Sequence, residues 1–175
     1  MGDVLVAQGK IRQANRQFDN SIKLAQQENP VRSLEEKNKV ADYFNQTRQF
    51  DKEINLRKRA ILETKQLNDS VLLITDNLDV GKKKEFNSGV FNDGIGNTLP
   101  EEKALSLANT LSENNYKIGR ALVQKEDYKE AIPFLEKSIK DANLESDLVV
   151  KKDATRKLSE VYSNVGEYDL SLIHI

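Results

Sequence analysis

The chain has 175 residues, with 27 Lys and Arg against 28 Asp and Glu, 38% hydrophobic and 31% charged residues, and neither Cys nor Trp. A net charge of -1 and a mean hydropathy of -0.64 exclude a strong field for nucleic acid or an anionic membrane, and apolar runs such as Val71 to Ile74 fall far short of the roughly 18 residues a span requires. The absence of Cys removes disulfides, thiolate nucleophiles and Cys-ligated metals, and no cofactor is expected. Low apolar content with high charge predicts thin packed layers rather than a thick core.

Self-similarity at a fixed period organises the chain. A large apolar or aromatic residue follows a short turn and opens a charged helical stretch at Ile11, Phe50, Tyr128 and Tyr168, at spacings of 39, 78 and 40 residues. The spacing predicts a unit of two amphipathic helices joined by a turn, the first helix ending near Gly9, Thr47, Lys125 or Val165. The doubled spacing predicts a degenerate copy around residues 68–110.

In the first unit Gly2, Leu5, Gly9, Ile11, Ala14, Phe18 and Ser21 stand in register. The second keeps Ala41, Phe44, Phe50 and Ala60 but carries Glu53 and Arg57 where a small and a large apolar residue belong. These two units make up residues 1–67. Residues 68–98 hold four of the eight Gly together with many Asn and Asp, which favour turns, and are read as a decayed helix pair with short helices near 70–78 and 83–91. Pro100 with Glu101 and Glu102 marks a new helix start, opening two further units over 99–169.

The third unit is the clearest. Ile118, Gly119, Leu122 and Val123 share a helical face, and Gly119 removes a side chain where the second helix must approach. That second helix places Ala131, Leu135 and Ser138 inward and Lys129, Glu130, Glu136 and Lys137 outward. Asp127 is expected to cap it through its carboxylate, and Pro133 to bend it slightly. The fourth unit keeps Leu158, Tyr162, Gly166 and Tyr168. Residues 170–175, Leu-Ser-Leu-Ile-His-Ile, match the translation of a sequencing-library adapter and are read as read-through at the end of a metagenomic fragment, which leaves His174, the chain's single His, without a role.

These residues resemble the tetratricopeptide repeat, whose pattern is W-x2-L-G-x2-Y, a turn, then A-x3-F. Ile118-Gly119 and Leu122 fit its first helix, and Tyr128, Ala131, Leu135 and Ser138 its second, with Asn115 in place of the Trp. The resemblance covers roughly three-quarters of the chain and rests on repeated register. It implies an all-α, right-handed superhelical solenoid of helix pairs. Residues 115–142 and 147–169 are also similar to the tetratricopeptide input region of certain bacterial sensor histidine kinases. That similarity implies a signal-input module of a two-component system, periplasmic in that case and otherwise cytoplasmic. A free-standing scaffold or chaperone-like adaptor is the alternative.

No catalytic constellation stands out. Glu35-Glu36 and Glu101-Glu102 are read as acids opening helices, where the dipole favours them. Gly94-Ile95-Gly96 lacks the context of a dinucleotide fingerprint, and Lys82-Lys83-Lys84 is read as a solvated run. No enzyme activity is expected of the fragment, and no metal site.

Binding is the expected role, since stacked helix pairs leave a concave groove lined by their first helices. The groove residues are Asn38, Asp42, Asn45 and Gln46 in the second unit, Glu113, Tyr116, Arg120 and Gln124 in the third, and Asp153, Arg156 and Glu160 in the fourth. Acids interrupt the series and no Lys falls at these positions, unlike the clamp that holds chaperone C-termini. Tyr116 is the aromatic candidate for an anchor. The expected partner is a protein or peptide, with no nucleic acid and no membrane contact. The open repeat ends predict self-association.

Overall fold

In the computed structural model of the protein the described residues are 2–77, 100–142 and 148–166. They form helices and contain no strand: α1 (Gly2–Ala7), α2 (Ile11–Glu28), α3 (Pro30–Gln46), α4 (Phe50–Asn77), α5 (Pro100–Gln124), α6 (Tyr128–Asp141) and α7 (Leu148–Val165). Each helix packs on the next in the chain, and α5 also touches α7.

Helix starts and ends repeat with the sequence period. α2, α4 and α6 begin at Ile11, Phe50 and Tyr128, the three residues that set the period. The turns before them share one geometry. Gly9, Arg48 and Glu126 have φ of 72°, 57° and 64°. The next amide in each turn donates five residues back, Lys10 to Leu5 at 2.8 Å, Gln49 to Phe44 at 2.8 Å and Asp127 to Leu122 at 2.9 Å. This left-handed cap satisfies carbonyls at the helix end and reverses the chain in three residues. Gly166, after α7, takes φ 83° at the corresponding place. The link from α2 to α3 is Asn29 alone, whose side chain accepts from the Arg32 amide at 2.7 Å ahead of Pro30; both devices favour a helix start there.

Asp127 sits at the cap position of α6, but its carboxylate accepts no backbone amide. It pairs instead with Lys125 at 3.1 Å, a closer source of charge than the helix end. Pro133 lies inside α6, which runs unbroken from Tyr128 to Asp141.

Packing within a unit depends on one close approach. A Cβ on Gly119 would lie 2.6 Å from Leu135 Cγ, and one on Gly2 would lie 2.5 Å from the Phe18 ring. In the second unit Ala41, fully buried, holds the same register position. The apolar interior is divided in two. Ile54, Ile61, Ile118, Leu122, Ala131, Leu135, Leu158, Val161 and Tyr162 form one cluster across α4 to α7. Val40, Ala41, Tyr43, Phe44 and Leu56 form the other, with Val6, Phe18 and Ile22 against it.

The middle of the chain differs from its expected layout. Residues 70–77 are the end of α4, not a separate short helix, because Gly and Pro are absent until Gly81 and the helix has nothing to stop it earlier. Nor does a further repeat separate the second unit from the third among the described residues. α5 packs directly on α4, and Lys117 on α5 reaches Asp42 on α3 at 3.0 Å. Longer helices take up part of the doubled spacing: α4 has 28 residues and α5 has 25, against 18 in α2 and 17 in α3. The expected helix near 83–91, the Lys82 to Lys84 run, Gly94 to Gly96, Tyr168 and the tail with His174 lie outside the described residues.

Candidate functional site

α3 and α5 bring five of the eleven expected groove residues into one polar network. Asp42 accepts from Arg57 Nη2 at 2.6 Å and from Lys117 Nζ at 3.0 and 3.3 Å. Lys117 also pairs with Glu113 at 2.8 Å. Asn45 Nδ2 donates to Glu53 Oε2 at 2.7 Å and to Gln124 Oε1 at 3.1 Å. The Arg120 guanidinium stands 4.0 Å from Glu53, and its Nε has no partner.

Beneath this surface lies an ion pair that spacing alone marks only as a departure. Glu53 is 0% and Arg57 1% exposed, with Arg57 Nε donating to Glu53 Oε1 at 2.9 Å. The remaining guanidinium nitrogens go to Asp42, as above, and to Asn114 Oδ1 on α5 at 3.1 Å. Every charged atom of the pair thus has a partner, which is the condition for holding ions away from water. Glu53, Arg57, Asn114 and Lys117 were not among the expected site residues. Glu53 and Arg57 carried a signal, being polar at apolar register positions; Asn114 and Lys117 carried none.

The electrostatics follow from this crowding. Burial alone would raise the Asp42 carboxyl, but the Lys117 hydrogen bond and the Arg57 and Lys117 charges outweigh it and hold it below its ordinary value. Lys125, at the end of α5, is pushed up to about 12 by hydrogen bonds to Asp51 and Asp127.

The other expected groove residues stay apart from this network. Asn38 is half-buried with its Oδ1 unpartnered, and Gln46 is exposed at the end of α3. Tyr116 packs, half-buried, against the larger apolar cluster. On α7, Asp153 pairs with Arg156 at 3.3 Å and Glu160 with Lys157 at 2.6 Å, so these groups are engaged along their own helix.

A second buried contact repeats between units. Lys37, 2% exposed, donates to Glu63 Oε1 at 2.7 Å, and Asn115, 78 residues later, donates to Asp141 at 3.3 Å. Both occupy the position where the tetratricopeptide pattern has Trp, and both tie the first helix of a unit to its second, at the end of α6 for Asp141 and midway along α4 for Glu63.

Among the described residues no group of His, Cys, Asp and Glu is arranged to hold a metal, and no helix is long and apolar enough to cross a membrane. An open cleft of about 380 Å³ lies between the start of α6 and the end of α7, lined by Asp127, Tyr128, Glu130, Asn164 and Val165 among others; it includes none of the expected groove residues. Comparison with protein-family models, curated proteins and solved structures found no match.

Proposed function

We propose that the chain is a protein-binding module of tetratricopeptide-like helix pairs stacked as a right-handed solenoid, with a peptide or protein partner held along the face of α3, α5 and α7. The observation that carries this reading is the common register of turns and close contacts: the left-handed caps at Gly9, Arg48 and Glu126 and the helix approaches at Gly2 and Gly119. Helix pairs built alike and packed in chain order leave their first helices side by side, as a recognition surface requires. The charged groups on that face neutralise one another, which suits orientation of a partner more than bond-making.

The test is selection from a displayed peptide library on the purified chain. Charge reversal at the exposed groups Glu113, Arg156 and Glu160 should weaken a selected peptide by roughly tenfold or more, whereas Lys129→Ala should not. Loss of binding from Lys129→Ala with none from the groove changes would reject this placement.

Within that reading, the similarity of the last two units to sensor-kinase input regions makes signal input the favoured context. A complete reading frame carrying a phosphoacceptor His and ATP-binding motifs after the repeats supports it; a frame that stops soon after them rejects it and favours the free-standing adaptor. Exposed Val4, Leu24, Leu62, Leu148 and Val149 supply apolar surface for self-association.

A further inference from the structure

Three helix pairs offer the same two register positions on their second helices. They are filled by Ala14 and Phe18 in α2, Glu53 and Arg57 in α4, and Ala131 and Leu135 in α6. In the outer two units the large residue lies over a glycine, Gly2 or Gly119. Only the middle unit replaces the apolar pair with a carboxylate and a guanidinium, and it buries both.

The consequence lies in direction. Apolar contact falls off smoothly and tolerates small rotations between helices, whereas a guanidinium holds its acceptors in a fixed fork. Arg57 aims at three helices at once: Glu53 on α4, Asp42 on α3 and Asn114 on α5. Its partner Glu53 likewise meets Asn45 on α3 and Arg120 on α5. The pair also lies where the apolar interior divides, between the cluster of α1 to α4 and that of α4 to α7.

The connection at this junction is different too. Within units, α3 and α4 are joined by residues 47–49 and α5 and α6 by 125–127, and α2 meets α3 through Asn29. α4 and α5 are joined through residues 78–99. Among the described residues, the third unit meets the second through the packing of α5 on α4 and the polar contacts of Arg57 and Asp42 with Asn114 and Lys117.

We infer that the buried Glu53–Arg57 pair is an orientation lock: it selects one docking angle of α5 on the α3–α4 unit and contributes specificity there rather than net stability. Burying the ions costs about what their mutual attraction returns, so a well-packed apolar pair would serve stability equally. What an apolar pair lacks is the rejection of rotated arrangements, in which a charge would lose its partner.

The test exploits the absence of Cys. Spin labels on the full chain at the exposed positions Arg16→Cys on α2 and Lys140→Cys on α6 report the distance between the outer units by pulsed EPR. In this background Glu53→Ala with Arg57→Leu restores the apolar pattern of α6. The expected result is unchanged helical circular dichroism and an unfolding midpoint no lower than the parent, with a distance distribution that broadens or splits. Asp42→Asn, which keeps an acceptor but removes the charge linking Arg57 to Lys117, should give an intermediate width. A double variant as narrow and as centred as the parent overturns the inference. So does a double variant that loses its helicity, since the pair would then be a stability element.

Discussion

Gly119 and Leu135 occupy each other's space: a Cβ on Gly119 would stand 2.6 Å from both Leu135 Cγ and Cδ2, with the Ala131 carbonyl at 3.5 Å. Leu135 is fully buried and has nowhere to retreat. Gly119→Leu should therefore destabilise by about 1–3 kcal/mol through overpacking, and Ala131→Leu, on the facing helix, by a similar amount. Gly119→Ala gains helix propensity of up to about 1 kcal/mol but must move Leu135, so a net loss is expected. Lys129→Ala, on the outer face of α6, should stay within about 0.5 kcal/mol. Urea unfolding monitored by circular dichroism measures all four; equal effects at Gly119 and Lys129 would refute the assignment of faces.

The repeated turn offers a test in the opposite direction. Gly9 and Gly166 fill the left-handed position without strain, but Arg48 and Glu126 hold it with side chains, at φ 57° and 64°. A non-glycine residue there costs about 1 kcal/mol or more. Glu126→Gly should raise stability by roughly 1 kcal/mol, since Glu126 has no resolved hydrogen bond to lose beyond its backbone. A drop in the unfolding midpoint would show that the side chain contributes more than the backbone strain takes away.

Much of this architecture is legible in the sequence because it is local. The helix starts at Ile11, Phe50 and Tyr128 and the Gly119 contact follow from spacing within one unit. Three features were not legible, each for a physical reason. Asp127 looks like a cap, but a carboxylate two residues from a lysine has a stronger partner than an amide. The doubled spacing suggests a separate short helix near 70–78, yet spacing counts residues and not helix ends, and nothing in the sequence stops α4 before Asn77. Arg57 breaks the apolar pattern visibly, but its partner Asn114 is 57 residues away, beyond any local rule. Of the groove residues, Asp42 and Arg120 are linked through Arg57 and Glu53, both on the helix the groove argument left out.

Single removals at the buried pair should be far more damaging than the paired replacement. Arg57→Leu alone leaves the fully buried Glu53 with only Asn45 and the distant Arg120, and a buried charge stripped of its ion partner costs about 3–5 kcal/mol. Glu53→Ala alone leaves Arg57 with Asp42 and Asn114 and should cost less than Arg57→Leu, though still several-fold more than a surface pair. Lys157→Ala, which removes only the exposed contact to Glu160, should cost about 0–1 kcal/mol. A thermodynamic cycle over Glu53 and Arg57 should return a large coupling energy. Additive single effects would show that the two side chains do not act as a pair.

Asp42 gives the junction a dependence on acidity whose sign is fixed by its surroundings. The charged groups bonded to it are Arg57 from α4 and Lys117 from α5, whose other partners are Glu53 and Glu113. Burial works against its charge, but Lys117 and Arg57 prevail and its pKa lies below the ordinary 3.8. A carboxyl with a depressed folded-state pKa binds fewer protons folded than unfolded, so its contribution is fully present above the unfolded value and is lost as pH falls through the folded one. Protonating Asp42 leaves the Arg57 and Lys117 side chains facing each other across a neutral group. Stability of the parent chain should thus decline more steeply than that of Asp42→Asn between about pH 5 and pH 2. Asparagine retains an oxygen acceptor for Arg57, replaces the Oδ2 that accepts from Lys117 with an amide donor and does not titrate, so the pH dependence of the difference isolates the titrating charge. Denaturant midpoints measured across that range for the two proteins decide the matter: parallel curves would mean that the Asp42 bridge contributes nothing that protons can remove.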